Sequence, residues 1–231
     1  MDFAAFEKSI GITFRNRELL RTAFTHRSYL NENRRAGMEH NERLEFLGDA
    51  VLELIVTEHL FTRYPDKPEG DLTSYRSALV NANTLSGVAE ELGMNDYLLL
   101  SRGEAKDTGR ARQVILANTI EAFIGALYVD QGYEAVKEFV SRHLFKLVDD
   151  IVQKRTWLDA KSHFQEQAQE IVGVTPSYET VKETGPDHDK HFTVAVFLEK
   201  ERVAEGAGKS KQEAEQEAAK HGLEVKHWDE F

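Results

Sequence analysis

The stretch Asn41-Glu42-Arg43-Leu44-Glu45-Phe46-Leu47-Gly48-Asp49-Ala50-Val51-Leu52-Glu53-Leu54 decides the fold of this chain. Read as a helix at about 100° per residue, it puts Glu42, Glu45 and Asp49 on one narrow stripe. Leu44, Leu47, Val51, Leu54 and Ile55 fall on the opposite face. A carboxylate stripe backed by an apolar one can hold several oxygens on one side of a packed helix, the ligand type that Mg²⁺ prefers. The plainer alternative is a solvated acidic face. Two details favour the site: Arg43 is the only basic residue here, so the acids lack i,i+4 partners. Gly48 sits mid-helix, where it costs ~1 kcal/mol against Ala, which points to close packing against the backbone there.

At 231 residues the chain has room for one large or two ordinary domains. Hydrophobic content of 41% with 30% charged residues describes a soluble, globular protein, and no run approaches the ~18 apolar residues of a membrane helix. Met1-Asp2-Phe3 opens with an acid and no apolar signal core, so no secretory peptide and no membrane partner is expected. The absence of cysteine excludes disulfides and thiolate metal sites and fits a cytoplasmic location. The net charge of −11 counts against a polyanionic partner; residues 157–231 hold 9 basic against 16 acidic residues, residues 1–156 hold 20 against 24. Net charge governs long-range steering, however, whereas local basic clusters govern phosphate contact.

Residues 1–153 read as all-helical. Short helices are expected over 2–9 and 15–25, closed by Thr25-His26-Arg27-Ser28-Tyr29; no nucleophile elbow surrounds Ser28, so His26 and Ser28 are not a hydrolytic pair. The acidic helix is expected from Met38 to Tyr64, ending at Pro65. Another starts at Asp71 and runs to Leu92, with Gly93 as its C-cap. Ser101 to Gln113 is a polar segment carrying Arg102, Lys106, Arg110 and Arg112, either a plain surface loop or one facing a polyanionic partner. Val114 to Asp130 is a strongly apolar helix on which Asn118 and Glu121, three apart, share a face. Tyr133 to Val152 is a last amphipathic helix, and Lys154-Arg155-Thr156 a short polar joint.

From residue 157 the texture changes to a helix over 158–172, three short strands near 177–181, 192–198 and 202–205, and an Ala-rich helix over 209–223. Gly206-Ala207-Gly208-Lys209-Ser210 mimics the end of a P-loop, but Val203 stands where that motif needs its first Gly. The Lys-rich helix start is instead expected to clamp phosphates through free N–H groups and the helix dipole.

Asn41 to Leu52 is nearly identical to the signature motif of the ribonuclease III family, which it closely resembles. The α-β-β-β-α order over 157–226 resembles the double-stranded-RNA-binding domain. Phe164-Gln165-Glu166, Gln169, Gly185-Pro186-Asp187-His188 and Gly208 to Ala214 carry that second match. Together the two resemblances cover nearly the whole chain in the family's bacterial order. They imply an all-α endonuclease domain over 1–153 and a small α+β RNA-binding domain over 157–226.

The resemblance assigns Glu45, Asp49, Asn118 and Glu121 to a metal cluster for Mg²⁺, with Mn²⁺ as substitute. It puts Glu42 and Glu69 at the border of the cleavage site and makes Asp49 and Glu121 the main catalytic pair. Gln165, Glu166, Gln169, His188, Lys209, Ser210 and Lys211 are implied to contact RNA, while His26-Arg27-Ser28-Tyr29 is implied to be structural. The implied activity is Mg²⁺-dependent hydrolysis of double-stranded RNA, leaving 5′-phosphate and 3′-hydroxyl ends with a short 3′ overhang, in processing ribosomal RNA precursors, messenger, transfer and other structured transcripts. A homodimer follows, because duplex cleavage needs two clusters facing one another; surfaces around Gly48 and Phe46, with the Val114–Asp130 helix, are the expected interface. Asn118 stands where the family usually has Asp. That favours, as an alternative, a catalytically impaired RNA-binding dimer. A third alternative, an acidic helical scaffold with purely structural Mg²⁺, explains the first domain but not the second.

Overall fold

The computed structural model describes residues 2–33, 38–153, 160–186 and 190–228, and the chain forms two compact units, 1–157 and 158–231. In the first unit, Phe3–Ile10 (α1), Arg17–Ala23 (α2) and Arg27–Glu32 (α3) precede the long helix Glu42–Arg63 (α4). Glu69–Val80 (α5) and Ala82–Glu91 (α6) follow, then Arg110–Gln131 (α7), Tyr133–His143 (α8) and Val148–Gln153 (α9). Helices α4 and α7 cross at the centre. Their buried faces, Val51, Leu52, Ile55 and Val56 against Ile120, Phe123, Ile124 and Leu127, meet Phe6, Phe24 and Phe139 in one continuous core.

Several boundaries differ from the sequence reading, each for a local reason. Helix α4 begins at Glu42, not Met38, because Asn41 is buried and spends its side chain on the Ala23 carbonyl (3.2 Å) and its N–H on that of Thr25 (2.9 Å). The His26 stretch starts a separate helix, α3, whose N-cap is the imidazole itself. The expected helix over 71–92 starts at Glu69 and breaks at Asn81, which turns extended and accepts the Thr84 N–H (2.9 Å) to cap α6. Helix α7 starts at Arg110, four residues early, where Arg112 reaches Asn95 Oδ1 and the Glu104 carbonyl, both at 2.8 Å. The expected helix over 133–152 is interrupted after His143 by a 3₁₀ turn at Phe145–Leu147, where Phe145 stacks on His59 (3.7 Å between centroids). Leu54, assigned above to the buried face, is 58% exposed.

In the second unit, Ala160–Val172 (α10) is followed by Ser177–Thr184 (β1), His191–Leu198 (β2), Glu201–Gly208 (β3) and Lys211–Lys226 (α11). The three strands form an antiparallel sheet in the order β1-β2-β3. Ala218, Ala219 and Leu223 of α11 and Phe164 and Ala168 of α10 pack with Val196, Leu198 and Trp228 to make its core. The strands run longer than expected, and α11 begins at Lys211 with Ser210 as its cap.

Candidate active site and RNA-binding face

The α4–α7 crossing is closer than side chains allow. A Cβ on Gly48 would overlap the Glu121 carbonyl oxygen and lie 2.8 Å from the Gly125 nitrogen. Gly48 is therefore buried inside the protomer and is no part of an outer interface, which corrects that half of the expected dimer surface. The contact carries Glu121 of α7 up to Glu45 and Asp49 of α4.

Three acids thus share one corner with an amide. Glu121, half-buried, has its carboxyl pushed up to about 7, first by burial and then by the charges of Asp49 and Glu45. Burial, Glu42 and Asp49 raise Glu45 as well, while a side-chain hydrogen bond from Asn118 favours its ionised form. Among the described residues, no cation acts on Glu121 or Glu45. Glu42 is partly balanced by Arg27 (3.6 Å), which the sequence reading placed in a structural stretch, and has His40 Nδ1 at 3.7 Å, a neighbour that reading did not single out.

Among the described residues, no three His, Asp or Glu side chains stand close enough together to hold a metal ion by themselves. Hard carboxylate oxygens with no basic partner among the described residues nonetheless suit a divalent cation such as Mg²⁺, which takes one or two carboxylates, keeps several waters and completes its shell with phosphate oxygens.

Glu69 stands apart from this corner. At the start of α5 it accepts the Thr73 hydroxyl (2.9 Å) and lines a cavity of about 410 Å³ with Thr57, Leu60, Phe61, Leu72 and Arg76. Thr57 lies eight residues beyond Asp49 on α4, about 12 Å of helix rise. His26 and Ser28 are structural: Nδ1 and Oγ lie 2.8 Å apart, and the Ser101 N–H donates to Oγ at 3.0 Å.

In the second unit Gln165, Glu166 and Gln169 are exposed on α10, and Gln169 donates to the Thr175 hydroxyl (3.3 Å). Lys209 and Lys211 are exposed at the start of α11, with the Lys211 ammonium 5.9 Å from the centre of the Phe192 ring. His188 lies outside the described residues. One of the expected free N–H groups at this helix start, that of Glu213, is occupied. Ser210 Oγ accepts the Glu213 N–H (3.2 Å), and the Glu213 carboxylate reaches back past the cap to accept the N–H of Lys209, which precedes the helix (2.8 Å), a shifted form of the capping box. The Ser210 hydroxyl thus serves the helix. The Ser-x-x-Glu spacing could have been read in the sequence.

The family model described as ribonuclease-III-like matches residues 16–148, more than half of the chain, and the double-stranded RNA binding motif matches residues 160–226. The chain belongs to the ribonuclease III family of double-stranded-RNA endonucleases. Among relatives of this family, ribonuclease 3 of Streptococcus agalactiae serotype Ia is 46% identical over 217 residues, 94% of this chain and 95% of that one. Ribonuclease 3 of Oceanobacillus iheyensis is 43% identical over 225 residues, 97% and 98% of the two chains. A solved ribonuclease III nuclease domain from Campylobacter jejuni, described for structural flexibility in the region involved in its dimer formation, superposes with a TM-score of 0.57 at 37% identity. It covers 63% of this chain and 97% of its own. Ribonuclease III membership agrees with the helical unit followed by the α-β-β-β-α unit. Among the described residues no helix is long and apolar enough to cross a membrane.

Proposed function

We propose that this ribonuclease III-family protein hydrolyses double-stranded RNA with Mg²⁺, Mn²⁺ serving as substitute, and leaves 5′-phosphate and 3′-hydroxyl ends with a short 3′ overhang. The observation that carries this reading is Glu121: its carboxyl is pushed up to about 7 in a corner shared with Asp49 and Glu45. Such a shift marks burial first and then repulsion by Asp49 and Glu45, and a bound cation would offset both. When bound, the ion supplies an activated water and positive charge beside the leaving oxygen. Glu45, Asp49 and Glu121 hold it, with the Asn118 carbonyl as a neutral fourth donor. The Asn118 hydrogen bond also favours the ionised form of Glu45, against burial and the charges of Glu42 and Asp49. Glu42, tied to Arg27, borders the cleavage site; we assign Glu69 to the same border, approached from its own cavity.

Duplex recognition belongs to the second unit by shape, across two minor grooves and the phosphates between them. Gln165, Glu166 and Gln169 take 2′-hydroxyls and base edges, and Lys209 and Lys211 take phosphates. Residue His188 is assigned to the same groove by the family's pattern alone. Structured transcripts, ribosomal RNA precursors among them, are the natural substrates, and the cytoplasm is our assignment for a chain without cysteine.

The protein acts as a homodimer. The outer stripe of α4 supports this: Phe46 is 81%, Leu54 58% and Phe61 72% exposed, with Ala50 and Thr57 exposed between them. Val114 and Val129 of α7 add further exposed apolar surface.

Incubating a long RNA duplex with and without Mg²⁺ and sizing the products tests the whole reading. Short duplex fragments only with Mg²⁺ are expected. Binding without cleavage at any Mg²⁺ or Mn²⁺ concentration would instead favour the impaired RNA-binding dimer, for which the neutral Asn118 speaks.

A further inference from the structure

Helices α4 and α7 meet at two glycines, and only Gly48 belongs to the stretch that bears the acids. Its counterpart on α7 is Gly125, one turn beyond Glu121 on the same helix face. A Cβ on Gly125 would overlap the carbonyl oxygen of Leu44, lie 2.9 Å from its carbonyl carbon and 3.1 Å from the Gly48 nitrogen. All of these are backbone atoms of the α4 turn that holds Glu45, so no side chain can swing aside. Glycine is the poorer helix former, so propensity gives no reason for it here. The contrast within the same unit is Gly87 of α6, where a Cβ would meet nothing within 4 Å.

We infer that Gly125 is a positioning residue for the carboxylate corner: its missing side chain sets the helix separation at which Glu121 meets Asp49 and Glu45. A methyl group there would have to reach ordinary carbon–oxygen contact with a rigid carbonyl. That moves α7 off α4 by roughly an ångström, given contact optima near 3.5–4 Å. Glu121 would travel with it, because it lies a single turn away. Displacements of this size cost catalysis about a hundredfold while leaving distant surfaces untouched. The inference rests on the reading of Glu45, Asp49 and Glu121 as ion-holding acids.

The test uses the full chain carrying Gly125→Ala, with Gly87→Ala as the control and Glu121→Gln as the reference for the ion site. Mn²⁺ affinity is measured by titration calorimetry, duplex affinity in metal-free buffer, and kcat and KM in Mg²⁺. Gly125→Ala is expected to weaken Mn²⁺ binding several-fold and to lower kcat about a hundredfold, with KM and metal-free duplex affinity within a factor of about two of the parent. Gly87→Ala should change none of these. Unchanged Mn²⁺ affinity and kcat in Gly125→Ala would overturn the inference, as would an equal loss in every readout. If Glu121→Gln keeps full Mn²⁺ affinity, the ion-site reading itself fails; if Glu121→Gln loses it and Gly125→Ala does not, only the role of Gly125 fails. Should Gly125→Ala not fold, Gly48→Ala brings the same methyl from the other helix. Failure of both to fold would assign the contact to stability alone and overturn the inference.

Discussion

Glu121, half-buried and faced by Asp49 across the α4–α7 crossing, keeps its proton to about pH 7. A carboxyl whose folded value is raised contributes stability that is fully present below its ordinary value of 4.5 and is lost as pH rises through about 7. The metal-free protein should therefore lose thermal stability between pH 5 and pH 8. Glu121→Gln, which imitates the protonated form, should lose less, so that it melts above the parent at pH 8 and close to it at pH 5. The same variant should abolish most cleavage with duplex affinity intact. Melting curves in EDTA at both pH values check the first outcome, and a Glu121→Gln enzyme that cuts at the parental rate would remove Glu121 from the site.

Asn118→Asp exchanges a neutral donor for a fourth acid. Ligand charge count tunes affinity for hard cations, so the Mg²⁺ titration of cleavage should move to lower concentration by about tenfold. Glu45 would lose the hydrogen bond that favours its charge and gain a like-charged neighbour, so the metal-free variant should melt below the parent. Mn²⁺ should rescue the parent more than the variant. A titration that does not move would make Asn118 an adequate ligand as it stands.

Phe46 is 81% exposed in one protomer, so replacing it costs the isolated fold little. Phe46→Asp should nonetheless weaken dimerisation by about 2 kcal/mol or more, the range of a central aromatic anchor. Sedimentation at micromolar concentration would then give a monomeric mass for the variant and a dimeric one for the parent. A monomeric parent would sink the dimer.

Gln212 sits exposed beside Lys211 at the start of α11. Gln212→Lys should tighten duplex RNA binding and steepen the slope of log affinity against log salt by roughly one, the value of one further phosphate contact. The parent should prefer RNA over DNA duplexes, because Gln165, Glu166 and Gln169 are assigned to 2′-hydroxyls; equal affinity for both would contradict that assignment.

The acidic stripe of α4 and the tight spot at Gly48 were legible because a charge pattern and a mid-helix glycine are both local signals. That Gly48 faces α7 rather than a second copy was not, since a glycine says that something is close but not what. Gly125, in an unbroken apolar run, gives no local signal until its neighbour across the crossing is known. The capping role of His26 and the break after His143 depend on contacts with Ser28 and His59, the latter distant in the chain. Asn81 and the Ser210–Glu213 pair did carry readable capping signals. The position of Glu69, beside Phe61 and away from Asp49, depends on how α5 folds back along α4.

The capping box of α11 has a consequence for how the protein travels. A helix end with open amides would grip one phosphate from a fixed direction. Here Ser210 already takes the Glu213 amide, and Lys209 and Lys211 flank that cap as long, exposed side chains. A flexible ammonium can pass from one phosphate to the next at little cost, because it needs proximity rather than alignment. A duplex held through those two lysines would be held loosely, as by an electrostatic runner, and could drift along its length.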